Sequence, residues 1–132
     1  MRTKHCLTST DVHKMLTACK AEAAKNKWSV TIAIVDDAGF LLALERMDGA
    51  GPMTAVVAEA KAKTAGVTQR STKFWEDRIK ERPGFINFPD NLPIQGGIPL
   101  TYQGQCVGAI GVSGVQSHED EQVANAGAAT LS

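Results

Sequence analysis

Val12, Met15, Leu16, Cys19 and Ala23 recur at three- and four-residue intervals, which places them on one face of a helix from Asp11 to about Asn26. Leu7 followed by Thr8, Ser9 and Thr10 reads as the entry to that helix. After Trp28 the period shortens to two. Val30, Ile32 and Ile34 alternate with Thr31, Ala33 and Val35, a β-branched run that Asp36-Asp37-Ala38-Gly39 turns back as a hairpin. The returning arm, Phe40 to Met47, is apolar on both sides over most of its length. The pattern therefore predicts at least one strand covered on both faces, with helices flanking the sheet.

Gly49-Ala50-Gly51-Pro52 interrupts the chain, and the Ala-rich run Met53 to Val67 predicts a helix whose small side chains let its backbone lie close to the sheet or to a neighbouring subunit. Ser71 or Thr72 caps a further helix, Lys73 to Arg82, which Pro83-Gly84 ends. Phe85 to Gln95 is too apolar for a free linker and too broken for a long strand, and reads as a packed functional loop. Gly96-Gly97 opens a second hairpin, Ile98 to Tyr102 and Gln105 to Ser113 about the turn Gln103-Gly104. Ser117-His118-Glu119-Asp120 resembles a capping box and starts a last helix to about Leu131, with acids where the helix dipole favours them. Hairpins join antiparallel strands, so the element order predicts one α/β (α+β) domain over residues 1–132, with an antiparallel sheet of about five strands and helices on both faces.

Composition narrows the partners more than the chemistry. With 43% hydrophobic residues, a chain of 132 residues encloses one proper core. Its 14 basic and 14 acidic side chains cancel, leaving no electrostatic footprint for nucleic acid or an anionic membrane surface. Cys6, Cys19 and Cys106 are odd in number and far apart, which suits reduced thiols. Met1 to Met15 contain no continuous apolar core of a signal peptide, and no stretch approaches the roughly 18 apolar residues of a membrane span. The expected compartment is the cytoplasm.

Nucleotide-binding glycine motifs are missing from the strand-to-helix context they need. Gly108-x-x-Gly111-x-x-Gly114 lies in a strand and has two readings, close packing of that strand or a glycine floor for a flat ligand. His5, His13 and His118 form no metal-spaced pair, and Ser113, Cys106 and Cys19 have no local signature of a base beside them. The informative cluster is Arg46-Met47-Asp48-Gly49-Ala50, where the sheet gives way to a loop. Arg46 suits a carboxylate, or else an internal pair with Asp48, Glu45 or Asp36, and Met47 offers a thioether. Lys61 and Thr64 share a helix face by spacing. Together with Gly97, Gly111 and Ser113 on the second hairpin, Arg46, Met47, Asp48, Lys61 and Thr64 make the candidate ligand-binding set; no catalytic residue is assigned.

Asp36-Asp37-Ala38-Gly39-Phe40-Leu41-Leu42-Ala43 leading into Arg46-Met47-Asp48-Gly49-Ala50, then Ala60-Lys61-Ala62-Lys63-Thr64-Ala65, Gly96-Gly97-Ile98-Pro99-Leu100, Gly108-Ala109-Ile110-Gly111-Val112-Ser113-Gly114 and Asp120-Glu121-Gln122-Val123-Ala124-Asn125-Ala126-Gly127 resemble the successive signatures of GlcG/HbpS proteins. The same domain ends PduO-type proteins. The resemblance implies a profilin-like sheet, a homo-oligomer with an octamer as one form, and, for some members, haem as the bound cofactor. Three functions follow as expectations. The first is an oligomeric accessory protein of a catabolic pathway that binds a small molecule, haem or a tetrapyrrole-like ligand. The second is an enzyme acting on a small organic acid or aldehyde, with Arg46 as anchor and Asp36, Asp48 or Lys61 moving protons. The third is an accessory subunit that stabilises a larger enzyme.

Overall fold

Thr8 starts the first helix by a reciprocal exchange: its Oγ1 accepts from the Asp11 amide at 3.2 Å, and Asp11 Oδ2 accepts from the Thr8 amide at 2.8 Å. The computed structural model describes residues 1–131. From that cap the chain runs through α1 (Ser9–Lys25), the hairpin β1 (Thr31–Asp36) and β2 (Leu41–Arg46), then α2 (Met53–Thr68) and α3 (Thr72–Glu81). A 3₁₀ turn at Pro83–Asn87 precedes the second hairpin, β3 (Gly97–Tyr102) and β4 (Gln105–Ser113), and α4 (Ser117–Ala128) closes the fold.

The four strands lie in the order β2-β1-β4-β3, antiparallel throughout. Four strands form, not about five, because residues 88 to 96 add none to the sheet: Pro89 and Pro93 lack the amide donors a ladder needs. Register then sorts the side chains. Ile32, Ile34, Ile110 and Val112 point to one face, where Met15, Cys19 and Ala23 of α1 and Val123 and Ala124 of α4 complete a core. Ala33, Val35 and Ala109 point to the other, against Ala58, Ala62 and Ala65 of α2. Helices thus cover both faces, and β1 is buried along almost its full length.

The apolar pattern of the first hairpin resolves unevenly. β2 is an edge strand with Leu41, Leu42 and Leu44 exposed, so the strand of this hairpin covered on both faces is β1. Strand alternation reports which residues share a face; it carries no information on which strand stands at the margin. The glycines of β4 resolve as close packing. A side chain at Gly111 would run into the Ala58 carbonyl and the Ala62 amide, and one at Gly97 into the Lys61 carbonyl, so α2 rests directly on strand backbone at both positions. Among the described residues no helix is long and apolar enough to cross a membrane.

Candidate functional site

Arg46, Thr31 and Ser113 face one another across β2, β1 and β4 on the side that α2 covers. Thr54 Oγ1 donates to the Gly51 carbonyl at 2.6 Å, so in its 2.8 Å contact with Thr31 the proton comes from Thr31. The Thr31–Thr54 bond fastens the start of α2 to the sheet. Arg46 and Asp48 stay exposed, and Arg46 has no carboxylate partner among the described residues: Glu45 pairs with Lys20 at 2.8 Å, and Asp36 Oδ1 accepts from the amides of Ala38 and Phe40, each at 2.9 Å. The Met47 side chain packs onto the core beneath α1 and α4, away from the α2 face.

Lys61 sits elsewhere. Its Nζ donates to Asp120 Oδ2 and to the Val112 carbonyl, each at 3.0 Å, with both side chains of the ion pair 3% exposed. It lies over the β3–β4 side, where a Cβ on Gly96 would meet its ammonium. Lys61 spends two of its three donors on Asp120 and the Val112 carbonyl and is shut off from solvent, whereas Arg46 on the edge strand β2 is exposed. Burial holds the Asp120 carboxyl above the usual carboxylate range, partly offset by Lys61 and by the Val115 amide, which donates to its Oδ1 at 3.1 Å. Asp120 reads from sequence as one more acid of a helix start; the signal that it is paired is a lysine inside the Ala58, Ala62, Ala65 stripe, which demands a buried counter-charge.

Thr64 is also buried, its hydroxyl shared between the Ala60 carbonyl (2.8 Å) and the Leu92 amide (2.7 Å). Gly97 and Gly111 are occupied by α2, as above, which leaves no glycine floor open there. Of the eight sequence candidates, Arg46 and Ser113 flank Thr31 across the sheet, Met47 joins the core, Asp48 is exposed, Lys61 lies in a buried ion pair, Thr64 is a side-chain post, and Gly97 and Gly111 are packing glycines.

Among the described residues, wider clefts lie against the exposed face of α1 and beside the amino-terminal segment, lined mainly by polar and charged side chains. Two others differ most in character. A groove of about 520 Å³ runs over the outward side of α2, lined by Leu44, Ala55, Val56, Glu59, Ala60, Lys63 and Asp90. It follows a second helical stripe, Met53, Val56, Ala60, Lys63 and Val67, at steps of three and four residues. Val56 is 64% and Met53 68% exposed, so at these two positions the stripe has no partner among the described residues. A smaller cleft of about 230 Å³ lies under the amino-terminal segment, lined by His5, Cys6, Leu7, Asp11, Tyr102, Val107 and Leu131. There the His5 ring stands edge-on to Tyr102 at 4.9 Å. Its volume falls below the roughly 300–1,000 Å³ typical of pockets that enclose an organic ligand, whereas the groove falls within that range.

Residues 7–129 match the family described as haem degrading protein HbpS-like. Protein GlcG of Escherichia coli K12 is 42% identical over 114 residues, 86% of this chain and 85% of that protein. The crystal structure of a double mutant of Streptomyces reticuli HbpS superposes with a TM-score of 0.94 at 36% identity, covering 100% of this chain and 91% of that one. The crystal structure of a PduOC:heme complex superposes with a TM-score of 0.88 at 25% identity, over 96% of each chain.

Proposed function

Because this chain belongs to the HbpS-like family, we propose that it binds haem or a related tetrapyrrole in the groove over α2, as an oligomeric accessory protein of a catabolic pathway. The observation that carries the reading is the unpartnered apolar stripe flooring a groove of about 520 Å³. Ala55 and Ala60 keep that floor low, Leu44 and Val56 supply apolar contact, and Lys63 suits a propionate. Met53, one turn before Val56 on the same stripe and exposed, would be the thioether available to a bound iron, in place of Met47, which packs on the core. The apolar floor suits a macrocycle, while Glu59 and Asp90 on the same lining would repel propionates and leave Lys63 to meet them. Bound haem would supply a redox-active iron, and the chain's own residues would supply the apolar contact.

A PduOC protein has been crystallised with haem, which supports the same ligand class here. Titration with haemin tests it. The wild-type protein is expected to give a saturable Soret shift, and Val56→Asp, which puts a charge on the groove floor at a position solvent already reaches, to weaken it at least about tenfold. A spectrum equal to that of free haemin at every ratio rules the ligand out.

The working form is proposed to be a homo-oligomer, with the octamer as one form the resemblance implies. Phe40 (73% exposed), Leu41, Leu42 and Leu44 lie along a sheet edge that no element among the described residues covers, and such an edge associates unless it is blocked.

A further inference from the structure

Thr64 and Thr68 stand one turn apart on α2, and each commits its single hydroxyl proton to the helix. Thr64 Oγ1 donates to the Ala60 carbonyl at 2.8 Å and Thr68 Oγ1 to the Thr64 carbonyl at 2.6 Å. Each oxygen can then only accept. Both accept from the stretch between α2 and β3: the Leu92 amide donates to Thr64 Oγ1 at 2.7 Å, and Trp75 Nε1 donates to Thr68 Oγ1 at 2.9 Å. The two threonines are thus a matched pair of posts for one segment.

That segment's ends are tied by Thr72, which accepts from the Gly97 amide at 2.8 Å, and by the Gly96 carbonyl, which accepts from the Val112 amide at 3.1 Å; between them it is held largely by its own aromatic side chains. Trp75, Phe85 and Phe88 stack on one another with ring centroids 4.9–5.3 Å apart, and the three belong to neither of the two cores. Asp90, in the left-handed region with φ +57°, is the residue of this stretch that lines the α2 groove. The neighbouring Asn91 donates to the Pro89 carbonyl at 3.0 Å, while its Oδ1 is buried with no partner. A buried acceptor left unpaired favours any arrangement that lets it meet water.

We propose that residues 88–92 are a movable wall of the groove and that Thr64 and Thr68 are positioning residues that set its width. The proposal deepens the ligand reading and rests on it. An apolar ligand broader than the closed groove enters when the Leu92–Thr64 bond opens and is retained when it recloses; Thr64 touches no ligand itself. Serine can replace threonine as a post, because it keeps the oxygen; valine, with the same shape, cannot.

The experiment compares wild type, Thr64→Ser and Thr64→Val by amide hydrogen exchange without ligand, and by the rate at which bound haemin passes to a haem scavenger in excess. In Thr64→Val the Leu92 amide is expected to exchange about tenfold faster or more, and haemin to leave several-fold faster, with Thr64→Ser close to wild type in both. Unchanged exchange over 88–92 in Thr64→Val overturns the proposal, as does faster exchange with an unaltered haemin rate. If haemin binds none of the three proteins, the haem reading fails on its own. The wall is then judged with anilinonaphthalene sulfonate: stronger dye binding by Thr64→Val than by wild type supports it, and equal binding overturns it.

Discussion

Lys61 and Asp120 form an ion pair at 3.0 Å that solvent hardly reaches, and through it the middle of α2 is tied to the first turn of α4 across the end of β4. Two charges are taken from water to make this link, so its strength lies in how badly the fold tolerates one without the other.

Replacing Lys61 with Met leaves the Asp120 carboxylate buried without its cation. The expected cost at neutral pH is about 3–5 kcal/mol of stability. Its pH dependence has a definite sign. Burial raises the Asp120 pKa above the ordinary 3.8, so the folded state binds this proton more tightly than the unfolded chain. The associated stability is complete below that ordinary value and is lost as pH rises through the raised one. Without Lys61 the carboxyl is raised further and the loss steepens. Urea unfolding of both proteins from about pH 4 to 8 measures it. A wild-type-to-variant gap that stays constant over this range would contradict the account.

Gly111→Ala should destabilise by about 1–3 kcal/mol or prevent folding, because the new methyl meets helix backbone at Ala58 and Ala62 and neither can step aside alone. Gly51 is the control. Nothing lies within 4 Å of a methyl placed there, and Gly51→Ala should melt within a few degrees of wild type. Equal melting temperatures for the two variants would mean that α2 does not rest on β4 as described.

Leu42→Lys places a charge on the apolar edge strand without touching the core. Light scattering should report a smaller species than wild type at the same concentration, with a melting temperature close to that of the dissociated wild-type chain. An unchanged mass would move the association surface away from β2.

The elements were legible because they depend on local order. The Thr8–Asp11 cap, the two-residue alternation through Val35 and the turns at Gly39 and Gly104 are set by neighbours in sequence, and the helices and hairpins formed where spacing put them. The site was less legible. Arg46 and Lys61 look like parts of one anchor when read along the chain, yet Arg46 stands exposed on the edge strand β2 while α2 buries Lys61 over β4.

What the sequence determined by itself is which residues share a face: side-chain direction repeats every two residues in a strand and every 3.6 in a helix, and that follows from covalent geometry. What only the tertiary structure decided is what each face meets. The stripe through Ala58 and Ala62 found the sheet, the stripe through Val56 and Lys63 found open solvent, and Lys61 found Asp120, 59 residues away. Such partners are chosen by the packing of whole elements, which no local periodicity encodes.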